Sequence, residues 1–494
     1  MKSFNIITAG SLALGFAAFA SAQTDVYFTG STAYRSTVVA AEIAILSNGV
    51  TPTTVHLGKT VGGASESAVR GLDSSSRDII IHNHWTGSVA GVIDLTSANP
   101  LAMIQDSQIP AATAGANDIN LTTDNGNTAA GQVSMADCLS TDAAQVLANA
   151  NSTGKTASAL ARTNAPIDGG SSGGANGRPV ASVDFEWILG SLATGNSVPA
   201  NWQASSGGLT STGALPLNIT QDQALALTTL GQLPLSVITG QAADATSLVI
   251  YVGRNEDSGT RVAYQAESAA NGVTGNKGGL SGAAVQWQPT QSGVGLPQNS
   301  SYASLSAVGA GITAIQVWPQ NNVVNNGTIN GWSMNTKPQI SWNVAGHSGY
   351  NSGGDVAAIL ASPNPVTGLP GTPSGYGNIY IVSAIGIADA QSALVNSVGP
   401  NATALAYNGV PYSKANVASG QYALWNYEHL YYLNGAESNA ITAVPVAQAA
   451  ADAVADHIYS ETQTQLGGAN AAGIPGNIID PLNLRTTTAG SVIE

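Results

Sequence analysis

Four charged side chains fall within eight consecutive positions of a chain that otherwise carries few. Arg254, Glu256, Asp257 and Arg261 surround Ser258-Gly259-Thr260 in the stretch YVGRNEDSGTRVAYQAES, 251–268. Those residue types suit the capture of an oxyanion. Arginine offers a planar fork of donors that matches carboxylate or phosphate oxygens. Serine and threonine hydroxyls donate, and glycine lets the main chain approach a ligand closely. Ser258 is placed to cap a helix, whose first turn exposes unsatisfied N–H groups and a partial positive charge. Such a terminus binds an anion without any net positive charge on the protein. The same letters also describe an ordinary capped helix with Arg254 in a surface ion pair. Glu256 and Asp257 have two readings: acceptors in the site, or partners that orient Arg254 or Arg261.

Two further segments carry hydroxyls at a strand-to-helix junction. FTGSTAYRSTVVAAEIAI places Ser31 and Thr32 after Gly30, and IIIHNHWTGSVAGVIDL places Ser88 after Gly87. Ligands gather at the carboxyl ends of strands in open α/β sheets, so three such junctions can converge on one anion.

The elements that must position them are legible as β-like runs rich in Ile, Val, Tyr and Trp: 25–30, 78–85, 246–253, 313–318, 339–344 and 378–388. Ala-rich helical stretches lie between several of them. TQDQALALTTL, 220–230, opens on the Thr220/Gln223 pattern of a capping box, and 444–462 reads as a late helix. Strands alternating with helices indicate an α/β architecture. Residues 95–178 are rich in Ala, Thr, Asn, Asp and Gly, and 271–312 in Gly, Ser and Asn; both read as surface insertions or mobile loops, and the tail from 463 is polar.

Composition limits the function further. Of 494 residues only 9% are charged, against roughly 25% in an ordinary globular protein, and the net charge is −14. No basic run is present to neutralise a phosphate backbone, which argues against nucleic acid as a partner. Lys2, the apolar run IITAGSLALGFAAFA and the ASA ending at Ala22 read as a signal peptide over 1–22, so a periplasmic or secreted location is expected. The single cysteine, Cys138, forms no internal disulfide and reads as an ordinary small side chain. His82 and His84 share one face of a strand, but no third ligand is identifiable, so no metal site and no cofactor are expected. His56, His347, His429 and His457 are scattered, and no nucleophile–base set emerges; an enzyme is not expected.

Taken in order, several of these segments resemble the phosphate-binding proteins of ABC transporters. GRNEDSGTR is similar to their arginine and Ser-Gly-Thr signature, TGSTAYR to their first Gly/Ser/Thr loop, and GSVAGV to their second. SAIGIADA and NGVPYSKANVASGQYALWNYEHLYYL resemble their returning strand and late tyrosine-rich segment, and the order holds from 25 to 435. The resemblance implies a two-lobed periplasmic-binding-protein fold with a cleft between lobes. Lobe 1 would comprise 23–94 and 390–462, and lobe 2 would comprise 179–389. It implies that Arg254 is the charged donor, that Ser258, Gly259 and Thr260 donate from a helix N-terminus, and that Ser31, Thr32 and Ser88 contribute from the two loops. It also implies an aspartate acceptor after the second loop. Asp184 in ASVDFEW is the match taken, which requires an insertion, with Glu256 or Asp257 as alternatives. The expected partners are inorganic phosphate or a related oxyanion and an ABC permease, with the chain a monomer. The alternative is a secreted structural or surface-interaction protein that reuses the fold without transport.

Overall fold

The structure is a computed structural model. It describes residues 23–98, 100–115, 117–123, 126–138, 178–192, 196–200, 202, 217–254, 258–268, 286–291, 312–318, 328–329, 332–333, 350, 352–364, 375–396, 402–433 and 438–466. The proposed signal segment, the 339–344 run, Glu256 and Asp257 lie outside the described residues, as do most of the two Gly/Ser/Asn-rich stretches.

Thirteen strands form one mixed sheet. They are β1 (Thr24–Gly30), β2 (Thr53–Leu57), β3 (Glu66–Leu72), β4 (Asp78–His84), β5 (Asn117–Leu121), β6 (Val133–Ala136), β7 (Arg178–Leu189), β8 (Asn218–Ile219), β9 (Gln232–Pro234), β10 (Ser247–Tyr251), β11 (Asn378–Gly386), β12 (Thr403–Tyr407) and β13 (Trp425–Tyr432). The main path runs β9-β10-β11-β7-β13-β6-β1-β4-β3-β2-β5, while β12 pairs with both β7 and β8. The fold is therefore α/β, with parallel pairs such as β1–β4 and β10–β11 beside antiparallel ones such as β7–β13. Ile79, Ile80 and Ile81 are all fully buried. A continuous apolar run is what a strand covered on both faces requires.

The twelve-residue β7 joins two halves of the sheet. Its first part, through Asp184, pairs with β13, and its second part, Phe185 to Leu189, pairs with β11. Helices pack on this frame: α1 (Arg35–Ile45), α2 (Ser88–Ser97), α3 (Gln221–Leu230), α4 (Leu235–Thr239), α5 (Gly259–Ser268), α6 (Gly353–Ala361), α7 (Ile387–Asn396), α8 (Lys414–Ala418) and α9 (Pro445–Leu466). The capping box of α3 forms as its sequence predicts. Thr220 Oγ1 accepts from the Gln223 N–H at 3.2 Å, and Gln223 Oε1 accepts from the Thr220 N–H at 2.9 Å.

Within the stretch 95–178, β5 joins the sheet edge and β6 lies between β1 and β13. The four residues of β6, VSMA, are all buried, but Ser and Ala give them little β character in sequence. Residues 403–407, expected in the first lobe, pair as β12 with β7 and β8 beside the second half of the sheet. The run 313–318 is a strand, Ile312–Trp318, but it forms a separate hairpin with Gln286–Gln291. Among the described residues, no helix is long and apolar enough to cross a membrane.

Candidate functional site

Two strand-to-helix junctions, β1 to α1 and β4 to α2, meet beside the end of β6. Gly30 takes φ of 116°, open to glycine but strained for other residues. That conformation turns the chain so that the Ser31 N–H donates to the Met135 carbonyl at 2.7 Å and the Gly87 N–H donates to the Gly30 carbonyl at 2.8 Å. The Ser31 loop, the start of α2 and the end of β6 are thereby tied through main chain.

β6 delivers Asp137, which is fully buried. Ser88, the first residue of α2, donates its hydroxyl to Asp137 Oδ1, and the Asp137 N–H donates to Ser88 Oγ at 3.3 Å. Asn426 of β13 fixes the main chain there by donating to the Asp137 carbonyl at 2.7 Å. Burial raises the Asp137 carboxyl above its ordinary value. The Ser88 hydrogen bond, the Arg254 charge and the Thr260 hydroxyl pull it back.

From the other half of the sheet, β10 leads to Arg254 and α5. Arg254 is 2% exposed. Its Nη2 donates to Thr32 Oγ1 and its Nε to the Tyr350 carbonyl, each at 3.2 Å. Ser258 accepts from the Arg261 N–H at 3.3 Å and so caps α5. Among the described residues its hydroxyl hydrogen is then open to a ligand. Gly259 opens the helix against the opposite half: a Cβ built there would lie 1.5 Å from Asp137 Oδ1 and 2.6 Å from Ser88 Cβ. No side chain fits at position 259 without displacing Asp137.

A second ring of charge surrounds Arg254. Burial lowers its guanidinium pKa, while Asp389, Asp137 and Asp355 raise it and Arg35 opposes them. Asp389 and Asp355 are themselves raised, first by burial, with Arg254 acting against that shift in both. Ser352 caps α6 by accepting from the Asp355 N–H at 3.1 Å. Behind Ser31 lies Glu428, fully buried, whose carboxyl burial and the nearby Asp137 charge push well up.

The structure thus brings Ser31, Thr32, Ser88, Arg254, Ser258, Gly259 and Thr260 to one locality. It does not bring Asp184 to Ser88. Asp184 sits on β7 opposite Trp425 and accepts from the Tyr412 hydroxyl at 3.0 Å. The carboxylate that meets Ser88 is Asp137. The sequence signal that could have found it is QVSMADC, a short alternation of Val133 and Met135 with an aspartate just past the strand end. Nothing in the sequence marks Arg35, Asp355, Asp389 and Glu428, because each is polar only in ordinary ways until the fold brings them around Arg254 and Ser31.

No family model matches the chain, and no curated protein matches it. Among solved structures it is similar to a Clostridium perfringens protein described as a phosphate ABC transporter substrate-binding protein, solved with bound phosphate. That likeness has 12% identity and a TM-score of 0.37, over 92% of this chain and 99% of the other. It is also similar to an ABC-type phosphate transport receptor from Vibrio cholerae, at 11% identity and a TM-score of 0.32, over 90% and 96% of the two chains. Likenesses this distant carry no chemistry across, which has to come from the chain's own geometry.

Proposed function

We propose that the chain is a solute-binding protein that captures a tetrahedral oxyanion, phosphate foremost, between the two halves of its sheet, without chemical conversion. The observation that carries this reading is the meeting of the α5 N-terminus with Asp137 and Ser88, beside the buried Arg254. Main-chain N–H groups of α5, the hydroxyls of Ser31, Thr32 and Ser258, and the Arg254 fork supply donors from both halves; the Ser88 and Thr260 hydroxyls, which bond Asp137, join them by turning to the ligand. Asp137 supplies an acceptor.

That combination suits an anion that keeps a proton. Near neutral pH phosphate retains one and sulfate has none. A buried carboxylate can accept from the first but stands unpaired and repelling against the second. The surrounding carboxylates also limit the net positive field, so binding depends on oriented dipoles. Hydrogen bonds to charged groups contribute roughly 1.5–3 kcal/mol each. A handful reaches the roughly −8 kcal/mol of a micromolar complex. Closure follows if both halves gain bonds to the same ligand. Export guided by residues 1–22 and delivery to an ABC permease belong to this reading as proposals.

The test is thermal unfolding and calorimetric titration with phosphate, sulfate, molybdate and neutral sugars. Phosphate should raise Tm in a concentration-dependent way. No shift with any anion would exclude the reading and favour a structural or surface-interaction protein.

A further inference from the structure

His82 lies on β4 in parallel register with Tyr27 of β1. Asp25, two residues earlier on β1, therefore projects from the same face of the sheet. The short helical turn Asp106–Gln108 brings a second carboxylate. His82 Nε2 is 3.7 Å from Asp25 Oδ1 and 3.5 Å from Asp106 Oδ1, and the ligand atoms of all three lie within 4.8 Å of one another. Gln23 closes the group, its amide nitrogen donating to Asp25 Oδ1 at 2.9 Å and to Asp106 Oδ2 at 3.0 Å.

Imidazole nitrogen and carboxylate oxygen bind zinc at about 2.0–2.2 Å. Four such ligands in a tetrahedron stand about 3.3–3.6 Å apart, by the geometry of bonds of that length. The two His82–carboxylate separations, 3.7 and 3.5 Å, fall near that spacing. His82 itself gives a second, independent observation. It is fully buried, and neither ring nitrogen has a hydrogen-bond partner among the described residues. Buried polar groups are otherwise nearly always satisfied. Tyr27 stacks on the ring at a centroid distance of 4.9 Å, which holds its plane. Asp106 is the exposed member and opens the group to solvent. The nearby cation, Arg70, is engaged by Asp78 through two hydrogen bonds of 2.7 and 3.0 Å and by the Ile109 carbonyl at 2.8 Å.

We propose that Asp25, His82 and Asp106 form a binding site for a divalent cation of the zinc type, with the Gln23 amide turning over to present its oxygen as a fourth ligand. The site is separate from the oxyanion site. Asp25 and Gly30 are five residues apart on one strand, about 17 Å at 3.3 Å per residue. A cation here pins the start of β1 to β4 and to the 106–108 turn, so its binding free energy adds to that of folding. His84, on the same face of β4, stays outside the group: its Nδ1 lies 2.8 Å from the Ala102 carbonyl.

The experiment is equilibrium dialysis of the purified protein with zinc in a phosphate-free buffer, alongside Co2+ titration read by visible absorption. One zinc per chain is expected, with a rise in Tm and the intense cobalt band of a tetrahedral site. Asp106→Asn, at an exposed position, should lower zinc affinity about tenfold or more, and His82→Gln should abolish the site. If His82→Gln does not fold, Asp106→Asn decides. Absence of stoichiometric zinc uptake by the wild type, or undiminished uptake by Asp106→Asn, overturns the proposal whatever the anion experiments give.

Discussion

Gly259 and Asp137 come from opposite halves of the sheet, and no Cβ fits between them: one built on Gly259 would lie 1.5 Å from Asp137 Oδ1. The approach brings the start of α5 against the Ser88–Asp137 pair. Gly259→Ala should therefore push α5 away from Asp137. Overpacking of this kind costs about 1–3 kcal/mol of stability, and phosphate affinity should fall at least about tenfold, since 1.4 kcal/mol of lost contact is a factor of ten. Denaturant melts and phosphate titration of the same preparation would check both; unchanged affinity would remove the α5 terminus from the site.

Arg254 reaches Thr32 Oγ1 from 222 residues away in sequence. Its fork cannot be replaced by a point charge, so Arg254→Lys and Arg254→Ala should both weaken phosphate binding, by about 10–100-fold if one or two charge-assisted bonds are lost. Calorimetry measures this directly. Thr32→Ala should weaken binding less, because the guanidinium remains.

Asp137, which bonds Ser88, is the acceptor we propose in place of Asp184, which bonds Tyr412. Asp137→Asn should narrow the preference for phosphate over sulfate by about tenfold or more, the cost of an ill-matched buried group. Asp184→Asn should leave that ratio unchanged. Paired titrations with the two anions distinguish the carboxylates.

Asp184 should instead be visible in the pH dependence of stability. Burial outweighs the Tyr412 hydrogen bond and the Lys414 charge and raises its folded pKa to about 7, against about 3.9 in an unfolded chain. A raised carboxyl favours the protonated form in the fold. Its contribution is complete below about pH 4 and is lost as pH rises through about 7. Glu186, raised to about 7 by burial, acts in the same sense. His429, held down to about 4 by burial, acts oppositely, since its stabilisation is lost as pH falls. The Tm difference between Asp184→Asn and wild type should therefore shift in favour of the variant from pH 4 to pH 7. A difference independent of pH would contradict the burial account.

Thr220 offers a test of local structure alone. Its hydroxyl accepts from the Gln223 N–H, and Thr220→Ala should cost about 1 kcal/mol of stability with no change in anion affinity.

The local features of this chain were legible in its letters. The apolar runs at 78–84, 247–251 and 378–386 form strands because period and residue type agree there. The Thr220/Gln223 box and the Ser258 cap form because the partners are three residues apart, and so are already neighbours once a helix starts. Tertiary structure alone decided which carboxylates count. Asp137 and Asp184 look alike in sequence. They differ because β6 ends between β1 and β13 beside Ser88, whereas β7 carries Asp184 to Tyr412. The His82 group is the same case: Asp25, His82 and Asp106 are far apart along the chain, and only strand register and one turn bring them together. Contacts across such separations depend on strand order in the sheet, which hydrophobic pattern does not encode.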